Sequence, residues 1–250
     1  MKKLSTLILA LSLFNLVSWS QESSTLDQAK SFDVKLKTEE ALKLYDQALE
    51  IDPKNVSVLV RCAELNAFLG NAQKEPAQKM PFYEKAKVYA DKALVADSTS
   101  SLSNYSMALV LGCLINFTPL KEKGPVSRQV YEYASKSIKA DSNNAKAISL
   151  MANWNNEMAS LNPAAKTALK IFFKDLPKAS QEEAIFLYEK ARKLDPSMIS
   201  NNFHLSEIYK KIGRSDLSVD ILKSTIKLAP KSIEDLDYKN RSRALLESLK

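Results

Sequence analysis

One histidine, two cysteines and a few adjacent carboxylates are the residues whose chemistry could reach beyond packing. His204 alone excludes a zinc site built on a histidine pair. It also leaves a Ser-His-Asp arrangement with a base and no recognisable nucleophile partner. Cys62 and Cys113 lack the C-x-x-C spacing of metal or redox pairs, and both fall on apolar helical stripes, where they read as buried free thiols. Glu182-Glu183 opens a predicted helix, where negative charge complements the helix dipole. Four glycines in 250 residues leave little material for a phosphate-cradling loop or the turns of a sheet-rich enzyme. These residues predict no catalytic group, no cofactor and no metal site.

The charge balance narrows the partners. Lys+Arg number 36 against 29 Asp+Glu, a net charge of +7. The basic residues alternate with acids along helices, as in Glu39-Glu40 with Lys43 and Glu182-Glu183 with Lys190 and Arg192, which is a solvated surface and not a nucleic-acid footprint. At the N-terminus Lys2 and Lys3 precede an apolar run from Leu4 to Val17, and Ser18-Trp19-Ser20 supplies small residues before Gln21. This pattern predicts a secretory signal peptide over residues 1–20. Its apolar core is shorter than the roughly 20 residues of a membrane span. The expectation is an exported protein, periplasmic or secreted.

The elements that must position any site show themselves by repetition. Leu49-Glu50-Ile51-Asp52-Pro53, Leu94-Val95-Ala96-Asp97-Ser98, Ile138-Lys139-Ala140-Asp141-Ser142, Lys193-Leu194-Asp195-Pro196 and Ile226-Lys227-Leu228-Ala229-Pro230 each close an amphipathic run with a turn. Small residues stand at fixed offsets from these turns. Ten residues after them come Ala63, Ala108, Ala152 and Ser206; five before them come Ala48, Ala93, Ser137, Ala191 and Thr225; twelve before them come Ala41, Ala86, Val130, Ala184 and Ser218. Such residues let two helix backbones approach closely, while Tyr45, Leu187, Tyr188 and Leu222 fill the volume between.

Apolar spacing predicts first helices near 56–69, 101–117, 144–160 and 199–212, and second helices near 38–51, 82–96, 127–140, 181–194 and 215–228. A closing helix, 233–249, begins at Ser232 with Asp235 three residues on, and sets Leu245, Leu246 and Leu249 against the last pair. The middle units carry insertions. Asn71 to Pro81 and Thr118 to Ser127 read as loops, whereas Leu161 to Ser180 holds a short apolar helix, Ala164 to Phe173, that fills core.

The last unit, with Leu205-Ser206, Tyr209, Gly213, Ser218, Leu222, Thr225 and Pro230 in order, resembles the tetratricopeptide repeat family. That resemblance implies an all-α, right-handed α-solenoid of antiparallel helix pairs with a C-terminal capping helix. The expected organisation is one repeat domain over 21–250, with units near 22–55, 56–100, 101–144, 145–198 and 199–232 and a cap at 233–249. From Asn144 to Leu249 the chain is similar to a narrower group, the regulator of microtubule dynamics family. The features carrying this are Glu157 in a long first helix, the inserted apolar helix, Leu176-Pro177, Ala179-Ser180, Leu194-Asp195-Pro196-Ser197, Asn201-Asn202 and Tyr209-Lys210-Lys211-Ile212-Gly213. This resemblance implies a scaffold role and no catalytic residue.

A solenoid of helix pairs presents a concave groove lined by its first helices. The offsets point Val60, Glu64, Phe68, Tyr105, Leu109, Asn153, Asn156, Glu157, Phe203, Glu207, Lys210 and Lys211 towards it, together with Ala67, Gly112 and Ser149. Acids, amides, lysines and aromatics mixed in this way suit an extended peptide or a partner helix. Trp154 falls beside the groove and is expected to pack beneath the inserted helix. The expected function is therefore an exported protein-protein interaction scaffold. The alternatives are a structural subunit of an envelope or membrane-associated assembly, or a microtubule- or organelle-associated protein if residues 1–20 are not a secretory signal.

Overall fold

In the computed structural model, residues 24–172 and 177–249 are described; the leader expected over 1–20 lies outside them. These residues form twelve α-helices, and among them there is no strand. Helix α1 spans 24–34, followed by α2 Thr38–Ile51, α3 Val56–Ala72, α4 Pro76–Ala96 and α5 Ser101–Leu114, the last continued by a 3-10 turn Ile115–Phe117. Then come α6 Leu120–Ala140, α7 Ala145–Ser160, α8 Pro163–Phe172, α9 Gln181–Leu194, α10 Ile199–Lys211, α11 Ser215–Thr225 and α12 Ile233–Glu247.

The strongest packing joins α3 with α4, α5 with α6, α7 with α9 and α10 with α11, and each pair then stacks on the next. The small residues at fixed offsets are the reason the pairs close. All of the Ala, Ser and Thr positions in the three sets are buried, and the odd member, Val130, is buried with them. Where the small residue is a serine, its hydroxyl finds a backbone carbonyl in the tight space. Ser218 Oγ donates to the Ser206 carbonyl at 2.9 Å, and Ser137 Oγ donates to the Ser101 carbonyl at 2.7 Å.

Helix ends follow a local rule. Asp52, Asp97, Asp141 and Asp195 each follow the last residue of a second helix, and each carboxylate accepts from the backbone N–H two residues on, at 3.2, 2.9, 2.9 and 3.0 Å. This Asx turn reverses the chain into the next helix. Asn55 and Asn144 then cap the starts of α3 and α7 by accepting from Val58 N and Ala147 N. Ser180 and Ser232 cap α9 and α12 in the same way.

Two expected loops are helical instead. α4 begins at Pro76 and α6 at Leu120, so residues 76–81 and 120–127 belong to helices with Pro81 and Pro125 inside them. Each proline is the sixth residue of its helix and forfeits one backbone hydrogen bond. Tertiary packing offsets that loss. Tyr83, two residues after Pro81 in α4, is buried against Gly70 of α3, and its ring lies 5.7 Å from that of Phe117 at a tilt of 60°. Ser127, in α6, receives the indole N–H of Trp154 on both its carbonyl and its hydroxyl at 2.9 Å. Trp154 thus packs on α6, with Tyr131 4.9 Å away. The start of α8 is exposed at Ala164, Lys166 and Thr167, so core filling by this helix does not extend to its first turn.

The larger departure is α12. It packs on α10 and α11 and also reaches α3, near the other end of the array. Asn71 Nδ2 at the end of α3 donates to Glu234 Oε1 at 2.7 Å. Leu245, Leu246 and Leu249 are only partly buried. The helix expected as a terminal cap closes the solenoid into a ring.

A Cβ on Gly70 would stand 2.5 Å from Tyr83 Cε1, and the buried tyrosine has nowhere to withdraw. Gly70→Ala is expected to lower stability by about 2 kcal/mol. Gly213, at φ +79° with open space around it, should lose only about 1 kcal/mol as alanine. Urea unfolding of the two variants checks the order, and equal losses would show that the Tyr83 contact does not constrain position 70.

Candidate functional site: a cavity ringed by first helices

The first helices α3, α5, α7 and α10, with α12 closing the circle, surround a cavity of about 750 Å3. Phe68, Tyr105, Leu109 and Asn153 line it as the offsets predicted, joined by Gly112 and Ser149. Asn153 Oδ1 accepts from the Tyr188 hydroxyl at 3.3 Å, which fixes its amide toward the cavity.

Glu64 and Val60 are corrections. Val60 is buried in the core beside Leu59, Tyr105 and Ala147. Glu64 is 2% exposed and enclosed by charge. Its carboxylate accepts from Arg61 at 2.7 Å and from the Lys146 ammonium of α7. Arg61 in turn makes a bidentate pair with Asp33 of α1, both contacts at 2.7 Å, and Asp33 also accepts from the Tyr45 hydroxyl. Burial alone would push the Glu64 carboxyl up, but Lys146 and Arg61 outweigh it and hold the group below the ordinary carboxylate range. Glu64 is therefore a structural anion joining α1, α3 and α7, not a free acid awaiting a ligand.

Phe203 is the third correction. It is 3% exposed because α12 lies over it: Tyr238 packs at 5.5 Å and the Arg241 guanidinium sits 4.4 Å from its ring centre. His204, next to it, lines the cavity with both ring nitrogens engaged, one with Glu207 at 3.2 Å and the other with the Tyr238 hydroxyl at 3.1 Å. Glu207 is exposed and serves this contact. Lys210 reaches Ser248 just beyond α12 and Lys211 reaches Ser160 at the end of α7, so both tie the rim together. Asn156 is half-buried and Glu157 exposed, and neither belongs to the cavity wall.

Several wall residues escaped the sequence reading: Arg61, Asn71, Lys74, Lys79, Lys146 and Glu234. Asn71, Lys74 and Lys79 lie in the stretch expected to be a loop. Glu234 comes from the helix expected as a terminal cap on the last pair. Tyr83 donates to Asn71 Oδ1 at 2.7 Å, which orients the amide N–H toward Glu234. Burial, with a smaller push from neighbouring Asp235, Glu64 and Asp237, raises the Glu234 carboxyl to about 7 against the Asn71 bond that lowers it. Cys113 lies on the same wall with its thiol pushed up to about 12 by burial; it and the buried Cys62 are free. Among the described residues no cluster of His, Cys, Asp and Glu could hold a metal ion.

Glu64→Gln leaves Arg61 and Lys146 without their shared anion. Because Lys146 is half exposed, the expected loss is about 2 to 3 kcal/mol, below that of a fully buried pair. Glu234 binds a proton more readily folded than unfolded, so its contribution to stability is full below its ordinary value of 4.5 and declines as pH rises through about 7. Urea midpoints measured from pH 4.5 to 8 should therefore fall less steeply for Glu234→Gln than for the native chain. Identical slopes would refute the raised carboxyl.

A family model described as Regulator of microtubule dynamics protein 1-3 matches residues 24–250. A mouse protein named Regulator of microtubule dynamics protein 1 is 25% identical over 214 residues, covering 84% of this chain and 70% of its own. Proteins of the same name from Bos taurus and Caenorhabditis elegans are 24% and 22% identical. This chain spans 61% of the bovine protein and 80% of the worm protein, and the matches cover 77% and 74% of it. Among solved structures, a thermophilic TPR protein of Thermus thermophilus aligns with a TM-score of 0.64 at 14% identity, over 90% of this chain and 99% of its own. The pilF protein of Pseudomonas aeruginosa aligns with a TM-score of 0.51 at 13% identity, over 93% and 90%. The fold is thus the tetratricopeptide solenoid. The expectation of export to a periplasm or the medium is corrected by the relatives: they are animal proteins named for the regulation of microtubule dynamics, a process inside cells. The match over residues 24–250 is decisive, and the chain belongs to the regulator of microtubule dynamics protein 1-3 family.

Proposed function

We propose that this chain is a non-enzymatic scaffold that captures a segment of another protein on the concave wall of its ring, and that residues 21–250 act in this as one repeat domain. The observation that carries the reading is the wall itself. Phe68, Tyr105 and Leu109 offer apolar and aromatic contact, while Asn153, Ser149 and Asn71 offer hydrogen bonds. Few convergent polar groups on an apolar surface are what a bound peptide requires for affinity and register. The animal relatives carry microtubule regulation in their name, and we place the captured segment in a protein serving that process.

Of the groove positions expected from sequence, Phe68, Tyr105, Leu109 and Asn153 are the contacts proposed for the partner. Asn156, Glu157, Glu207, Lys210 and Lys211 form a polar rim, Val60 and Glu64 hold the wall in place, and Phe203 lies under α12. The test is in-cell photo-crosslinking from a benzophenone side chain placed at position 153 and, as a control, at the exposed convex position 186. Leu109→Arg, which fills the cavity with a cation, is expected to reduce the adducts from position 153 at least tenfold without loss of helix content. Adducts common to positions 153 and 186, or insensitive to Leu109→Arg, would sink the concave-wall reading.

A further inference from the structure

The helix that closes the ring is held in an uneven way. Of its fifteen residues only Ser242 is buried, and Leu236 stays exposed. What it covers is the opposite: Phe203 is buried and apolar, and Tyr188 and His204 form an aromatic floor beside it. The contacts come from one face of α12. Glu234 meets the Asn71 amide, Tyr238 meets Phe203 and His204, and Arg241 lies over Phe203. Their spacing, i, i+4 and i+7, is that of an amphipathic helix seated in a groove.

We infer that α12 is an intramolecular stand-in for a partner helix, and that the concave face takes in its place a helix presenting a carboxylate, an aromatic four residues on and a cation three residues beyond. This rests on the concave wall being the binding surface and names its occupant. Each element of the pattern answers a fixed feature. The Asn71 amide is oriented by Tyr83, so it demands an acceptor. The floor of Phe203, Tyr188 and His204 accepts an aromatic edge, and the Phe203 face accepts a guanidinium. A tethered helix acts at an effective concentration in the millimolar range, so a helix arriving from another protein must compete with it. Its apparent affinity is reduced by the small fraction of rings that stand open, and the resting scaffold is self-occluded.

The test uses the full chain and a labelled synthetic peptide of residues 230–249, followed by fluorescence anisotropy. The peptide should bind the native chain weakly and bind a chain carrying Tyr238→Ala with Arg241→Ala at least tenfold more tightly. A peptide bearing the same two substitutions should bind neither. Circular dichroism checks that the variant chain is folded; if its helix content falls, Arg241→Ala alone is read in its place. Hydrogen exchange supplies the second readout: added peptide should deprotect α12 and leave α10 protected. Equal affinity for the two chains, no saturable binding, or conversion of the variant to a dimer that ignores the peptide would each overturn the inference, the last in favour of exchange between two copies. If the peptide fails while adducts from position 153 remain sensitive to Leu109→Arg, the concave-wall reading stands and only the helix stand-in falls.

Discussion

Two helices can share a solenoid only as closely as the side chains between them allow, and here that distance is set by alanine, serine and threonine at three recurring positions. Ala63, Ala108, Ala152 and Ser206 occupy the crossing points of the first helices, and each is buried. A leucine at any of them would push the second helix outward and rotate every later pair. The larger residues, Tyr45, Leu59, Tyr188 and Leu222, then fill volume that the crossing has already defined. The curvature of the first-helix wall, and so the cavity it encloses, descends from these contacts.

Electrostatics enters as a consequence of that geometry. Once the first helices are drawn together, Glu64 of α3 lies too deep for water, and its charge persists only because Arg61 and Lys146 reach it. Asp33 completes the set by holding Arg61 from α1. The network therefore fastens the N-terminal helix to α3 and, through Lys146, to α7. Charge here secures the wall and does not advertise a ligand.

What could be read in the sequence was what is local. The aspartates at 52, 97, 141 and 195 mark turns because an Asx turn needs only neighbouring atoms, and the helix bounds at 38–51 and 181–194 follow directly. The extensions of α4 and α6 were not legible. Pro81 and Pro125 break helices in isolation, and only the distant partners Gly70 and Trp154 explain why they do not break them here. For the same reason four wall residues, Phe68, Tyr105, Leu109 and Asn153, were found from offsets. Arg61, Lys146 and Glu234 were missed, because their roles depend on pairings with residues on other helices. The contact of Asn71 with Glu234 joins positions 163 apart and leaves no mark in periodicity. Phe203 and Glu64 carried the right offset and the wrong meaning, since spacing reports direction and not what else occupies that direction.

Ring closure has a mechanical corollary. An open solenoid is a soft spring, since small rotations between successive pairs add along its length. Pinning α12 to α3 imposes a loop condition: a rotation at one junction must be cancelled at the others. The assembly then behaves as a stiff washer while α12 stays seated against α3, with Glu234 holding Asn71, and regains the compliance of a spring when that seam opens. A load or a ligand at the seam would be felt at every junction, although it touches only one.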